Sequence, residues 1–162
     1  MEVDYSETVA VKIPEARKMA EAGKLNDALD LLTSLEKQTR TGCDMQSTSK
    51  ILVEIVQLCF KAKKWSLLNE QIVILTKKRS QLKAAVTKMV QECYSWIKDK
   101  KFSPKEREVE LKLIETLRTV TSGKIYVEVE RARLTHRLAM MKEEDNDIQG
   151  AAKTMQELQV IN

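Results

Sequence analysis

Residues 20–32 read AEAGKLNDALDLL. A helix runs into Gly23 and stops, and a new apolar stripe begins at once with Leu25, Ala28, Leu29 and Leu32. Glycine adopts the left-handed backbone conformation that ends helices without a steric penalty. The apolar residues then recur at the three- and four-residue spacing of one helix face. The stretch is an antiparallel helix pair folded about a very short turn. The same device recurs downstream. Gly23-Lys24-Leu25, Lys63-Lys64-Trp65, Lys100-Lys101-Phe102 and Asn146-Asp147-Ile148 each place a large apolar residue directly after a polar turn. Leu25, Trp65, Phe102 and Ile148 follow one another at intervals of 40, 37 and 46 residues. Helix-pair repeats of roughly 34–47 residues mark α-solenoids. A single pair cannot bury its apolar face, and stacking the next pair on it does so. The expected fold is all-α: a right-handed α-solenoid of stacked antiparallel helix pairs, TPR-like in kind.

Composition agrees with that class. The chain has 162 residues, 43% hydrophobic and 32% charged, enough for a core. Only four glycines and two prolines interrupt it. No apolar run reaches the roughly 18–20 residues needed to span a bilayer, so no membrane partner is expected. The net charge of +4 is too mild to argue for nucleic acid. Cys43, Cys59 and Cys93 are odd in number and form no C-x-x-C pair, which suits reduced thiols.

Along the chain, residues 1–12 lack helical periodicity and are expected to be a loose lead-in to a helical-repeat domain over 13–162. Pro14 suits a first helical position. Within the segment TRTGCD, taken as a connector, the second helix has ended; Ser47 or Thr48 then caps the third. That helix, with Ile51, Leu52, Val53, Ile55, Val56, Leu58 and Cys59, is apolar on nearly every side and so buried on both flanks. Ser103-Pro104-Lys105-Glu106 is a capping box that opens the helix bearing Leu113 and Leu117. The run KIYVEVE (124–130) alternates like a strand, but Val127, Leu134 and Leu138 continue a helical spacing. Asp147 is placed to cap the last helix. Leu25, Ala28, Ile55, Leu58, Trp65, Leu68, Met89 and Leu117 are the expected structural core. Trp65→Ala should cost about 3–5 kcal/mol if Trp65 is enclosed.

No catalytic constellation emerges. His136 is the single histidine, and no nucleophile elbow, phosphate loop or H-E-x-x-H is present. Cys93 falls on an apolar stripe, as a buried small hydrophobe does. The acidic run 143–147 lacks the glycine and the terminal glutamate of a calcium loop. No catalytic residue, cofactor or metal is therefore expected. The basic residues Lys63, Lys64, Lys77, Lys78, Arg79, Lys100 and Lys101 gather at helix ends, and they are the candidate interaction residues. Aligned along one edge they could follow phosphates, but no exposed aromatics are interleaved to stack on bases. A nucleic-acid or adaptor solenoid is the alternative reading. An enzyme using Cys93 with His136 is a remoter one.

Several longer blocks point to a family. LLTSLEKQTRT (31–41), LLNEQIVILTKKRSQLKAAVTKMVQ (67–91), TLRTVTSGKIYVEVERARLTHRLA (116–139) and AAKTMQELQV (151–160) resemble the N-terminal helical-repeat part of a 26S proteasome lid subunit family, the non-ATPase regulatory subunit twelve type. KDKKFSPKEREVE (98–110) is longer than that pattern. The resemblance implies a non-catalytic scaffold in the regulatory particle, serving ubiquitin-dependent degradation in cytoplasm and nucleus. It implies other lid subunits, the lid deubiquitinase, and the ATPase ring or core-particle surface as neighbours. A C-terminal winged-helix module completes the family's pattern. It would lie beyond Asn162, so the chain is expected to be an N-terminal fragment, a single domain or a short isoform.

Overall fold

The computed structural model describes residues 3–145 and 148–161, side chains at 148, 149 and 158–161 excepted. Among these residues the chain is all-helical, with no strand. The helices are α1 (Ser6–Glu21), α2 (Leu25–Thr41), α3 (Met45–Lys61), α4 (Trp65–Thr76), α5 (Lys83–Lys98), α6 (Arg107–Thr121), α7 (Glu128–Glu144) and α8 (Ile148–Ile161). Single 3₁₀ turns at Pro104–Glu106 and Ile125–Val127 lead into α6 and α7. The chain forms two compact units, residues 1–92 and 93–162, and the boundary falls within α5.

In the first unit α2, α3 and α4 begin at Leu25, Met45 and Trp65, at intervals of 20 residues. The interval is set by the turns. Gly23, Cys43 and Lys63 each take a left-handed conformation, with φ of 81°, 57° and 54°. Behind each, the next amide reaches back to close the helix end: Lys24 N to Met19 O (2.9 Å), Asp44 N to Thr39 O (2.9 Å) and Lys64 N to Cys59 O (3.1 Å). These are Schellman caps, which satisfy orphan carbonyls and reverse the chain within three residues. Only the first uses glycine. Lys100 (φ 55°) closes α5 in the same way, with Lys101 N on Trp96 O at 2.9 Å.

The fold-back therefore holds, but the second turn differs from expectation. Thr39, Arg40 and Thr41 belong to α2, and Gly42 is not the left-handed residue. Gly42 is needed for space: a Cβ there would sit 2.7 Å from the Tyr5 ring. The N-terminal lead-in is likewise shorter than expected. Helix α1 begins at Ser6 and carries Pro14 within it. The start is fixed by contacts that local periodicity does not reveal. Val3 N donates to Gly42 O (2.9 Å), and Tyr5 N donates to Asp44 Oδ2 (2.7 Å).

Asp44 also replaces Ser47 and Thr48 as the cap of α3. Its Oδ1 accepts from Ser47 N at 3.1 Å, while Ser47 and Thr48 are buried inside the helix. One carboxylate thus serves the start of two helices. Burial alone would raise its pKa, but the hydrogen bonds from Ser47 and Tyr5 outweigh this and hold it below the usual aspartate value. Asp44→Ala is expected to lose about 1–2 kcal/mol in urea unfolding. Because the folded carboxyl is the stronger acid, its contribution is complete above about pH 4 and fades as pH falls further. The gap between wild type and variant should narrow below that pH.

The first unit layers α1 on α2, α2 on α3 and α3 on α4, with α1 also reaching α3. Its core is drawn from one face of each helix: Leu32, Ile51, Leu52, Ile55, Leu68 and Ile72 are all at most 1% exposed. Helix α3 is buried on both flanks, as its composition requires. In the second unit α6 packs on α7 and α7 on α8, around Leu113, Ile114, Leu117, Leu134 and Met141. The run 124–130 is a 3₁₀ turn entering α7, not a strand. The Asn146-Asp147 turn and the expected Asp147 cap lie outside the described residues.

Candidate functional site

Of the expected core residues, Ala28, Ile55, Leu58, Leu68, Met89 and Leu117 are buried. Leu25 and Trp65 are half-buried. Both open a helix straight after a turn, so one side of each meets solvent. Trp65 leans its ring edge-on against Phe60, with centroids 5.7 Å apart and planes at 67°. One partner of its ring is thus the end of the preceding helix.

The thiols and the imidazole differ in exposure. Cys59 and Cys93 are buried and Cys43 is exposed, and none of the three is in a disulfide. Burial pushes the Cys59 thiol up to about 11, so it holds a proton at neutral pH and is a poor nucleophile. His136 is exposed on α7. Among the described residues no three His, Cys, Asp or Glu side chains gather to hold a metal ion, and no helix is long and apolar enough to cross a membrane.

The basic residues do sit at turns. Lys63 and Lys64 join α3 to α4, and Lys77, Lys78 and Arg79 follow α4. These two groups are at opposite ends of a 12-residue helix, about 17 Å apart along its axis. They do not make one continuous edge within the first unit. The second group is also tied inward. The Arg79 carbonyl accepts from Arg40 Nη1 (2.6 Å), and Gln81 Nε2 donates to Leu75 O (2.7 Å) and Glu36 Oε2 (3.0 Å). Lys100 and Lys101 are exposed in the second unit.

Not singled out in the sequence was a set of acids clasped by arginines, three of them buried. Glu54, 2% exposed, lies in the apolar run of α3 and takes two hydrogen bonds from Arg17 of α1, at 3.0 and 2.7 Å. Those bonds raise the Arg17 pKa further. Glu36, fully buried in α2, accepts from Arg40 Nε at 2.9 Å. In the second unit Glu110 of α6 is met by Arg137 of α7 (3.4 Å). Arg107 there reaches Glu144 (3.0 Å), Asp145 (3.0 Å) and the Met141 carbonyl (2.8 Å). Arg118 of α6 pairs with Glu157 of α8. The signal available in the sequence was a single acid at a core position, as in ILVEIV. A lone buried acid calls for a cation from another helix.

Beside the Arg17–Glu54 clasp the first unit carries a groove of about 710 Å³, walled by α1 and α3 and touched by Ala84 and Lys88 of α5. Val9, Ile13, Pro14, Met45 and Val53 give it an apolar lining, and Arg17, Lys50, Lys88 and Glu54 its charges. This lining holds no paired acid and base at a reacting distance beyond the clasp itself. It can seat a ligand surface.

A family model described as PSMD12/CSN4, N-terminal, matches residues 27–161. The chain belongs to the PSMD12/CSN4 N-terminal family. Its relatives carry consistent names. It is 45% identical over 160 residues to the 26S proteasome non-ATPase regulatory subunit 12 of Dictyostelium discoideum, covering 99% of this chain and 35% of that protein. It is 50% identical over 142 residues to 26S proteasome non-ATPase regulatory subunit 12 homolog A of Arabidopsis thaliana, covering 88% and 31%. The 26S proteasome regulatory subunit RPN5 of Saccharomyces cerevisiae is 40% identical over 157 residues, covering 97% and 35%. The chain spans about a third of the length of these curated relatives. The family match takes in α2 to α8; α1, one wall of the groove, precedes it and falls within the Dictyostelium match.

Proposed function

We propose that this chain serves as the N-terminal helical-repeat arm of a proteasome regulatory-particle subunit, a non-catalytic scaffold of the lid that supports ubiquitin-dependent degradation. The observation that carries the reading is identity of 40–50% to regulatory subunits of the 26S proteasome over at least 88% of the chain. The local design supports it. Helices joined by three-residue caps and clasped by buried ion pairs make rigid elements that present turns and grooves. In this reading the helix pairs continue as a right-handed solenoid. Its neighbours are other lid subunits, the lid deubiquitinase, and the ATPase ring or core-particle surface. The protein then works wherever that particle works, in cytoplasm and nucleus.

The test is purification of the tagged full-length protein from its native source through a glycerol gradient. Regulatory-particle and core-particle subunits should travel with it in constant ratio. Migration free of proteasome subunits, or in ribonuclease-sensitive complexes with a steep salt dependence, would favour the lysine-edge alternative instead.

A further inference from the structure

The groove of the first unit has the dimensions and charge of a seat for one more helix. Helices α1 and α3 are separated by a single antiparallel helix, so they run in the same direction, and they lie against each other. The α1 wall is Ser6, Val9, Ala10, Ile13, Pro14 and Arg17, a face repeating every three or four residues. The α3 wall runs with the same period from Met45 to Gln57. Each wall is about 17 Å long, or three helical turns. One end is floored by the Arg17–Glu54 clasp, which spends the only acid in the lining. The bases Lys50 and Lys88 are exposed beside it, Lys50 also within electrostatic reach of the Asp44 carboxylate that caps α3. Met45 is 52% exposed, a large, adaptable apolar side chain held in water.

Resting on the scaffold reading above, we propose that this groove docks an acidic amphipathic helix of about three turns from a partner protein. Its apolar residues, at i, i+3, i+4 and i+7, would meet Ile13, Met45 and Val53; its flanking carboxylates would face Lys50 and Lys88. The chemistry selects this occupant. Both walls are helices whose backbone groups are already paired, so an extended strand gains no main-chain hydrogen bonds here. An apolar floor gives phosphates nothing, and both walls run about three helical turns, the length of a short helix laid along them.

The probe is a fluorescein-labelled peptide of about 15 residues, with leucines on that stripe and glutamates on both flanks, against a twin carrying lysine for every glutamate. Anisotropy is measured with the 162-residue chain. The glutamate peptide should bind at least about tenfold more tightly than its twin. Lys50→Glu with Lys88→Glu should invert that preference. Met45→Glu, at an exposed position that folding does not need, should weaken the glutamate peptide by about tenfold or more with an unchanged melting curve. Equal binding of the two peptides, no binding of the glutamate peptide, or a preference that survives the double reversal would overturn the proposal. Those failures are separable from failure of the scaffold reading. Co-migration with the proteasome does not depend on this groove, so a chain that joins the particle yet rejects the peptide refutes the groove alone.

Discussion

Arg17→Met is expected to destabilise the first unit by about 3 kcal/mol in urea unfolding. Removing one partner of a buried pair leaves an uncompensated charge, at a cost of about 3–5 kcal/mol. Glu54 is that partner: its side chain is 3% exposed, while that of Arg17 is 50% exposed. Water can approach from the arginine side, which places the effect at the lower end of the range. The pair itself is worth much less than its breaking costs. Arg17→Met combined with Glu54→Met should therefore recover most of the loss, since an apolar pair no longer needs solvation. A double variant as unstable as Arg17→Met would show that the two residues act separately and that the clasp is not the link between α1 and α3.

Ile55→Ala is expected to cost about 3–4 kcal/mol, and Trp65→Ala only about 2 kcal/mol. The order is the reverse of what residue size suggests. Ile55 is fully enclosed in α3, with packed helices on both flanks, so truncation leaves a cavity that cannot collapse. Trp65 is half-buried, and its truncation removes only part of an enclosed ring together with the edge contact on Phe60. Denaturant midpoints for the two variants, read at a common slope, decide the matter. A greater loss for Trp65→Ala would mean that the tryptophan is enclosed after all.

The helices were legible because their signals are local. Gly23 marks a left-handed cap, the period of Leu25, Ala28, Leu29 and Leu32 marks a buried face, and Ser103 with Glu106 marks a capping box that the structure contains. What stayed hidden depends on pairing across long separations. Nothing near Asp44 says that it will cap α3 and hold the start of α1, because Tyr5 is 39 residues away in sequence. Cys43 and Lys63 hold left-handed positions that residue preference assigns to glycine, and the backbone hydrogen bonds of the two caps close around them. The segment TRTGCD read as a connector, yet its first three residues belong to α2 and Gly42 is a clearance for the Tyr5 ring.

The site was less legible than the fold, for a related reason. Charge density drew attention to Lys63, Lys64, Lys77, Lys78 and Arg79, yet α4 separates these into two groups. The groove arises only when α1 and α3 are side by side. Its α1 wall includes residues 6–12, which show no strong stripe in isolation. A surface made by two helices, each contributing half a face, leaves no contiguous motif in either.

Depletion of the protein in its native cells, with rescue by an untagged copy, tests the central claim most directly. Ubiquitin conjugates should accumulate on depletion, capped 26S particles should fall, and peptide hydrolysis by the free core particle should persist. Conjugate levels and capped particles both unchanged after full depletion would contradict a scaffold role in the proteasome.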